Sequence, residues 1–413
     1  MKILHVHDKP FDLPANRTDA PGLTEDGGGV GIYLRQVAHG LRGRGCKIAS
    51  VRLAADGADE QPVVNGQHRV RAFRYFYRRQ SVAAFERIIR DERPDIVHLH
   101  SVFEGMHPLM LRRAARVARV VCTFHDVGPT CFWHTRIRPD GSLCTTPVGL
   151  RCVGRGCYRI GAMERATGDV ARLLGHRFYL RMYQRLPVIV PSRYMHGLFV
   201  ANGFRQDRLR VLPLFTRFEP EPSEAAPSDP PTILHVGRIE PEKGVVTMID
   251  ALALMADRSW RAVIVGKGTD LERAKGAARE SGIEDRIEFV GHCNPDELAA
   301  RYRSSSFAVI PSLVAESFGL VGVEAMSFAR AVIAFRSGGV TEWLDDGANG
   351  FLARHGDTAH LALLMRRLLD DPALCRRLGT AGAAMVSARF TLDHHLDALV
   401  ALYEAQTGDG ARR

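Results

Sequence analysis

Pro311-Ser312-Leu313-Val314-Ala315-Glu316-Ser317-Phe318-Gly319-Leu320-Val321-Gly322-Val323-Glu324-Ala325 follows a short apolar run, Phe307–Ile310, that reads as a buried parallel strand. The loop carries Glu316, and the helix expected after it carries Glu324 in its first turns. Small residues at Gly319, Gly322 and Ala325 let that helix and its backbone N–H groups come close to a ligand. An ionised carboxylate accepts several hydrogen bonds at once, so the pair suits a hydroxyl-rich group.

The same strand-then-helix pattern recurs on both sides. Upstream strands are expected at Ile3–His7, Lys47–Leu53, Val70–Phe73, Ile96–His100, Val120–His125, Val188–Pro191 and Arg210–Leu214. Further on they are expected at Thr232–Val236, Ala262–Val265, Ile287–Val290, Phe307–Ile310, Ala331–Ala334 and Gly350–Leu352. Such alternation implies two doubly wound α/β domains, each with a parallel sheet and a ligand crevice at its strands' carboxyl ends. At 413 residues the chain is too long for one core. The acidic, Pro-rich stretch 219–231 reads as the linker between them.

Three further segments carry chemistry. Leu234-His235-Val236-Gly237-Arg238-Ile239-Glu240-Pro241-Glu242-Lys243-Gly244 is a strand, a turn and a helix start, with Arg238 and Lys243 at a natural anion site. Asp26-Gly27-Gly28-Gly29 is expected as a tight turn before a helix, offering N–H groups to a phosphate or sugar. It is not a phosphate loop of the Gly-Lys-Ser/Thr kind. Thr123-Phe124-His125-Asp126 ends an apolar strand; His125 is either a ligand-facing imidazole or a satisfied core histidine. Were residues 316–324 helical throughout, the two glutamates would stand about 12 Å apart. That exceeds the roughly 5–9.5 Å of a hydrolase pair.

Together these segments resemble the Glu-x7-Glu retaining glycosyltransferases of family 4 (glycosyl transferases group 1), most specifically over 232–352. The resemblance implies the GT-B fold: two Rossmann-like domains facing a cleft, with the C-terminal helix crossing back. It implies an N-terminal acceptor-side domain over 1–218, a nucleotide-sugar domain over 232–385 and a returning helix over 386–413. By the same resemblance, Arg238 and Lys243 grip the donor diphosphate, with Gly28 and Gly29 near it. Glu316 and His125 are the catalytic candidates, and the backbone of Phe318, Gly319 and Leu320 lies along sugar and phosphate. Glu324 takes the ribose, while Lys267, Gly268 and His292 lie near the base. The donor would be a UDP- or GDP-sugar and the acceptor a glycan or lipid-linked hydroxyl in envelope or polysaccharide synthesis. Two rivals remain open: a sugar-nucleotide epimerase and a silent binding homologue.

Charge and cysteines add detail. Residues 1–215 hold 34 Lys and Arg against 18 Asp and Glu, or +16; the rest hold 22 against 28, or −6. The basic half suits an anionic acceptor or an anionic membrane, and no nucleic-acid motif accompanies it. Arg69-Val70-Arg71-Ala72-Phe73-Arg74-Tyr75-Phe76-Tyr77-Arg78-Arg79 has the composition of a peripheral membrane contact, or of a core strand with a solvated face. Cys131, Cys144, Cys152 and Cys157 match no standard zinc spacing; a structural zinc and free thiols both stand. No Asp-x-Asp triplet occurs, so the diphosphate is expected to be met by basic side chains and not by a required metal. The opening strand has no signal-peptide pattern before it, which implies a cytoplasmic enzyme.

Overall fold

The computed structural model describes residues 1–8, 28–54, 67–71, 79–102, 106–131, 135–138, 140–154, 164–221 and 229–408. Two compact units result. One comprises Met1–His134, Thr145–Leu212 and Leu392–Arg413, and the other Thr135–Cys144 and Pro213–Thr391.

The first unit is built on a parallel sheet of β1 (Lys2–His7), β2 (Lys47–Ala54), β3 (Gln67–Arg71), β4 (Ile96–His100), β5 (Arg119–Thr123), β6 (Val188–Val190) and β7 (Leu209–Val211). Its strand order is β3-β2-β1-β4-β5-β6-β7, so the winding reverses between β1 and β4. Side chains alternate faces along a strand. Leu4, Val6, Val97, Leu99, Val120 and Cys122 enter one apolar layer. The other face carries His5, His7, His98, His100, Thr123 and His125, all buried. That polar face is covered by the helices Gly28–Gly43 and Leu392–Gly408, whose Tyr33 and His395 share a 2.9 Å hydrogen bond. The last helix therefore belongs to the first unit, as expected, and buries Leu396, Leu399 and Tyr403.

The second sheet holds β8 (Thr232–Val236), β9 (Arg261–Val265), β10 (Ile287–Phe289), β11 (Phe307–Ile310), β12 (Ala331–Phe335) and β13 (Gly350–Ala353). Its order is β10-β9-β8-β11-β12-β13, with the reversal between β8 and β11. Both faces are covered, which is why these strands read as unbroken apolar runs. Ile233, Ile264, Val309 and Ile333 enter one layer, and Leu234, Val263, Ala308 and Val332 the other.

Every expected strand meets an observed one; Ile96–His100, Thr232–Val236 and Phe307–Ile310 match to the residue and the others shift at their ends. β5 stops at Thr123, leaving His125 beyond its carboxyl end, and β7 spans Leu209–Val211 in place of Arg210–Leu214. Residues 222–228 of the expected linker, and 72–78 of the arginine–aromatic stretch, lie outside the described residues. Among the described residues no helix is long and apolar enough to cross a membrane.

Candidate active site

In the second unit the loops after β8 and β11 leave neighbouring strands at the point where the winding reverses. Open α/β sheets collect ligands at such a point. The two loops are tied together: the N–H groups of Leu313 and Val314 both donate to the Glu242 carbonyl, at 2.9 and 3.1 Å. The tie needs Gly244, which sits at φ +71°, where a Cβ would come within 2.0 Å of the Pro311 carbonyl oxygen. From this frame Lys243 donates to Glu316 Oε1 at 2.7 Å, and Ser312 Oγ donates to the same oxygen at 2.6 Å.

Burial by itself would raise the Glu316 carboxyl. The Lys243 charge and hydrogen bond, then the Ser312 hydroxyl and the Arg238 charge, outweigh it and hold the group below the usual carboxylate range. Glu316 is thus an anion at neutral pH. Its backbone is pinned from the β12 side, where Gly339 N–H donates to the Glu316 carbonyl at 2.6 Å. Arg238 differs from Lys243 in being 66% exposed and reaching Glu242 only at 3.7 Å. Its guanidinium can turn toward a ligand.

The helix after this loop is Leu320–Ser327, begun by Gly319 at φ +83°. Glu316 therefore lies before the helix, and the 12 Å spacing, which assumed helix across both glutamates, does not apply. Phe318 is fully buried and presents only backbone; its carbonyl accepts from Trp343 Nε1 at 2.6 Å. Glu324 is 5% exposed. Its Oε1 lies 3.1 Å from Arg217 Nε, and Tyr302 donates to its Oε2 at 3.2 Å.

Lys267, Gly268 and His292 gather at the carboxyl ends of β9 and β10. Ile239 N–H donates to the Lys267 carbonyl at 2.9 Å, and Gly266 N–H to the Gly291 carbonyl at 2.7 Å. Gly268 is needed for close approach, since a Cβ there would come within 2.0 Å of the Ile239 carbonyl oxygen.

His235 was not singled out from the sequence. It is buried beneath this site, donates from Nδ1 to the Val309 carbonyl at 3.0 Å, and is held near 4 by burial, so it is neutral. Ser312, Arg217 and Tyr302 were missed too, because their partners lie 4, 107 and 22 residues away and only folding joins them.

In the first unit, His125 is 7% exposed, with its backbone N–H held by Ser101 Oγ at 2.9 Å. Asp126 caps the next turn, accepting from Gly128 N–H at 2.7 Å. The glycine triplet was expected ahead of a helix, but the helix already starts at Gly28, so Gly28 and Gly29 form its first turn. A Cβ at Gly29 would meet open space, so what this segment offers is the N–H groups of a helix start. Cys131, Cys144 and Cys152 are partly buried, and Cys157 lies outside the described residues. Among the described residues the cysteines form no group of three able to share an ion.

Two family models match end to end: Glycosyltransferase Family 4 over 27–216 and Glycosyl transferases group 1 over 217–385. D-inositol 3-phosphate glycosyltransferase of Nocardia farcinica is 27% identical over 98% of this chain and 88% of its own. Sucrose-phosphate synthase from Thermosynechococcus elongatus superposes with a TM-score of 0.69 at 21% identity, over 99% of this chain and all of that one. HepE of Anabaena, solved in complex with UDP, gives 0.68 at 17% identity, over 98% of this chain and all of that one. These are GT-B structures, and the two parallel-sheet units share their fold. The chain belongs to glycosyltransferase family 4, and is an enzyme that transfers sugars.

Proposed function

We propose that the enzyme moves a sugar, with retention, from a UDP- or GDP-sugar to a hydroxyl of an anionic acceptor. The observation that carries this reading is the Lys243–Glu316–Ser312 cluster at the reversal point of the second sheet, with the Arg238 guanidinium open beside it. Arg238 and Lys243 take the diphosphate, and no metal is required for it. Glu316 accepts hydrogen bonds from the sugar hydroxyls, and the first-turn N–H groups after Gly319 add positive potential. Glu324 accepts hydrogen bonds from the ribose hydroxyls. Lys267, Gly268 and His292 border the base.

Glu316 is committed to Lys243, which argues against its acting as an attacking nucleophile. The step is then a front-face exchange. The anomeric carbon–phosphate oxygen bond breaks and its electron pair stays on the diphosphate. The acceptor oxygen bonds to the anomeric carbon from the same face, and its proton passes to the departing diphosphate. His125, in the first unit, positions a substrate hydroxyl.

Two observations favour a nucleotide donor and a phosphate-bearing acceptor. HepE has been solved with UDP-glucose, and the Nocardia relative is named for an inositol phosphate. The +16 balance of residues 1–215 suits such an acceptor. A role in envelope or polysaccharide synthesis, working peripherally at an anionic membrane, is compatible with that charge. Liposome flotation at low and high salt tests it, and absence of binding to anionic vesicles removes it.

A thermal-shift and calorimetric panel of UDP-, GDP-, ADP- and dTDP-sugars tests the donor. One base should raise the apparent melting temperature selectively, since a ligand bound only to the folded state stabilises it by mass action. No response to any of the four would overturn the reading in favour of a silent homologue.

A further inference from the structure

The histidines of the first sheet fall outside the roles assigned above, apart from His125. β1 pairs with β4 so that His5 faces His98, and β4 pairs with β5 so that His100 faces Thr123. Strand alternation therefore sets His5, His98, His100 and His125 on one face. His5 Nδ1 lies 2.9 Å from His100 Nε2, and His100 Nδ1 lies 3.3 Å from His125 Nε2. The result is a line of three imidazoles, with His100 using both nitrogens.

Close histidines also invite a metal reading. His5, His98 and His100 could each offer a nitrogen, all within 4.8 Å of one another. Yet His98 is committed at both ends, to Tyr403 Oη at 2.6 Å and to Thr123 Oγ1 at 2.7 Å. His5 and His100 already bond each other. An ion would have to break these bonds and bring a double charge into a site whose ring partners are all neutral. The proton chain is the better account.

Each link holds one proton when the rings are neutral, and burial keeps them so. His5 and His125 are lowered to about 4, and His98 and His100 well below the usual histidine range. Two arrangements remain, because fixing one ring fixes the other two. If the protons point toward His5, its Nε2 becomes a buried N–H. Among the described residues that atom has no hydrogen-bond partner. If they point toward His125, the same atom is a bare acceptor. An orphaned buried donor is the rarer state, so the second arrangement is favoured.

We infer that His5 and His100 are positioning residues that lock His125 as the Nδ1–H tautomer, making it a hydrogen-bond donor to a substrate oxygen and denying it the role of general base. Among the described residues His125 Nδ1 has no hydrogen-bond partner, so its proton is available to a ligand. This inference rests on the transferase reading. It also agrees with a step in which the leaving diphosphate, and no side chain, takes the acceptor's proton.

The test is a long-range ¹⁵N–¹H correlation on the full chain, deuterated and labelled with ¹⁵N-histidine, without ligand at pH 7.5. His5, His100 and His125 should each show a protonated Nδ1 and an unprotonated Nε2, and elemental analysis should find no stoichiometric metal. His100→Phe should release His125 into tautomer exchange. It should also lower kcat about tenfold while KM for the nucleotide sugar holds. An unprotonated Nδ1 on His125, an imidazolium, one metal ion per chain, or His125 shifts unmoved by His100→Phe would each overturn it. The wild-type spectrum decides even if the variant fails to fold. It needs no donor, so its failure is distinguishable from a failure of the nucleotide panel.

Discussion

Glu316 and Lys243 form a pair whose worth depends on pH in a defined direction. The folded carboxyl is depressed, so the stability it contributes is fully present above the ordinary glutamate range and is lost as pH falls through the lower folded value. Glu316→Gln should therefore be less stable than wild type near neutrality, and the gap should close in acid. Paired denaturation series from pH 7 to pH 3 would check this; a constant gap would mean that the pair is not the source. The same variant should bind nucleotide nearly as wild type but lose about 10² in kcat, if the carboxylate meets the sugar mainly in the transition state. What the sequence made legible is where Arg238, Lys243 and Glu316 sit, in the loops after β8 and β11, because those two strands read plainly as apolar runs. The histidine chain left a signal that went unused. His5-Val6-His7 and His98-Leu99-His100 put histidine at every second strand position, hence on one face. What no spacing could give was which face of which neighbour they would meet.

At the scale of elements, loops after strands fix the site, and glycine makes their contact possible. Gly244 at φ +71° lies against the Pro311 carbonyl, so Gly244→Ala meets both backbone strain and a steric clash. A loss of about 1–3 kcal/mol is expected, read as a lower unfolding midpoint, with nucleotide affinity falling as the Glu242 tie to Leu313 and Val314 loosens. An unchanged midpoint would show that the tie yields at little cost. Strand positions were legible here because apolar runs covered on both faces leave few alternatives. The start of the first helix was not: three glycines read as a turn, whereas two of them take helical geometry under the covering of the polar sheet face.

After the short excursion at Thr135–Cys144, the chain leaves the first unit again after Leu212 and returns to it at Leu392. The returning helix is held in two ways of unequal weight. Tyr403 Oη meets His98 Nδ1 at 2.6 Å in the interior, while Arg44 meets Asp393 and Asp397, both mostly exposed, at 2.8 and 3.0 Å. Tyr403→Phe leaves a buried ring nitrogen without its partner and should cost about 1–3 kcal/mol. Arg44→Ala removes surface pairs and should cost no more than about 1 kcal/mol. Chemical denaturation of the two variants would rank them, and equal losses would show that the interior bond carries no special weight. The return of this helix was legible from its apolar positions together with the resemblance. Its partnership with the sheet histidines was not, because 305 residues separate His98 from Tyr403.

That return has a consequence in time. A ribosome adding roughly 5–20 residues per second takes about 10–40 s to make the stretch between Leu212 and Leu392. Throughout that interval the seven strands of the first sheet exist without the helix that supplies Tyr403 and His395. The nascent sheet must wait with its histidine face uncovered on that side, and the face that lines up His125 is closed only once Leu392–Gly408 has been made.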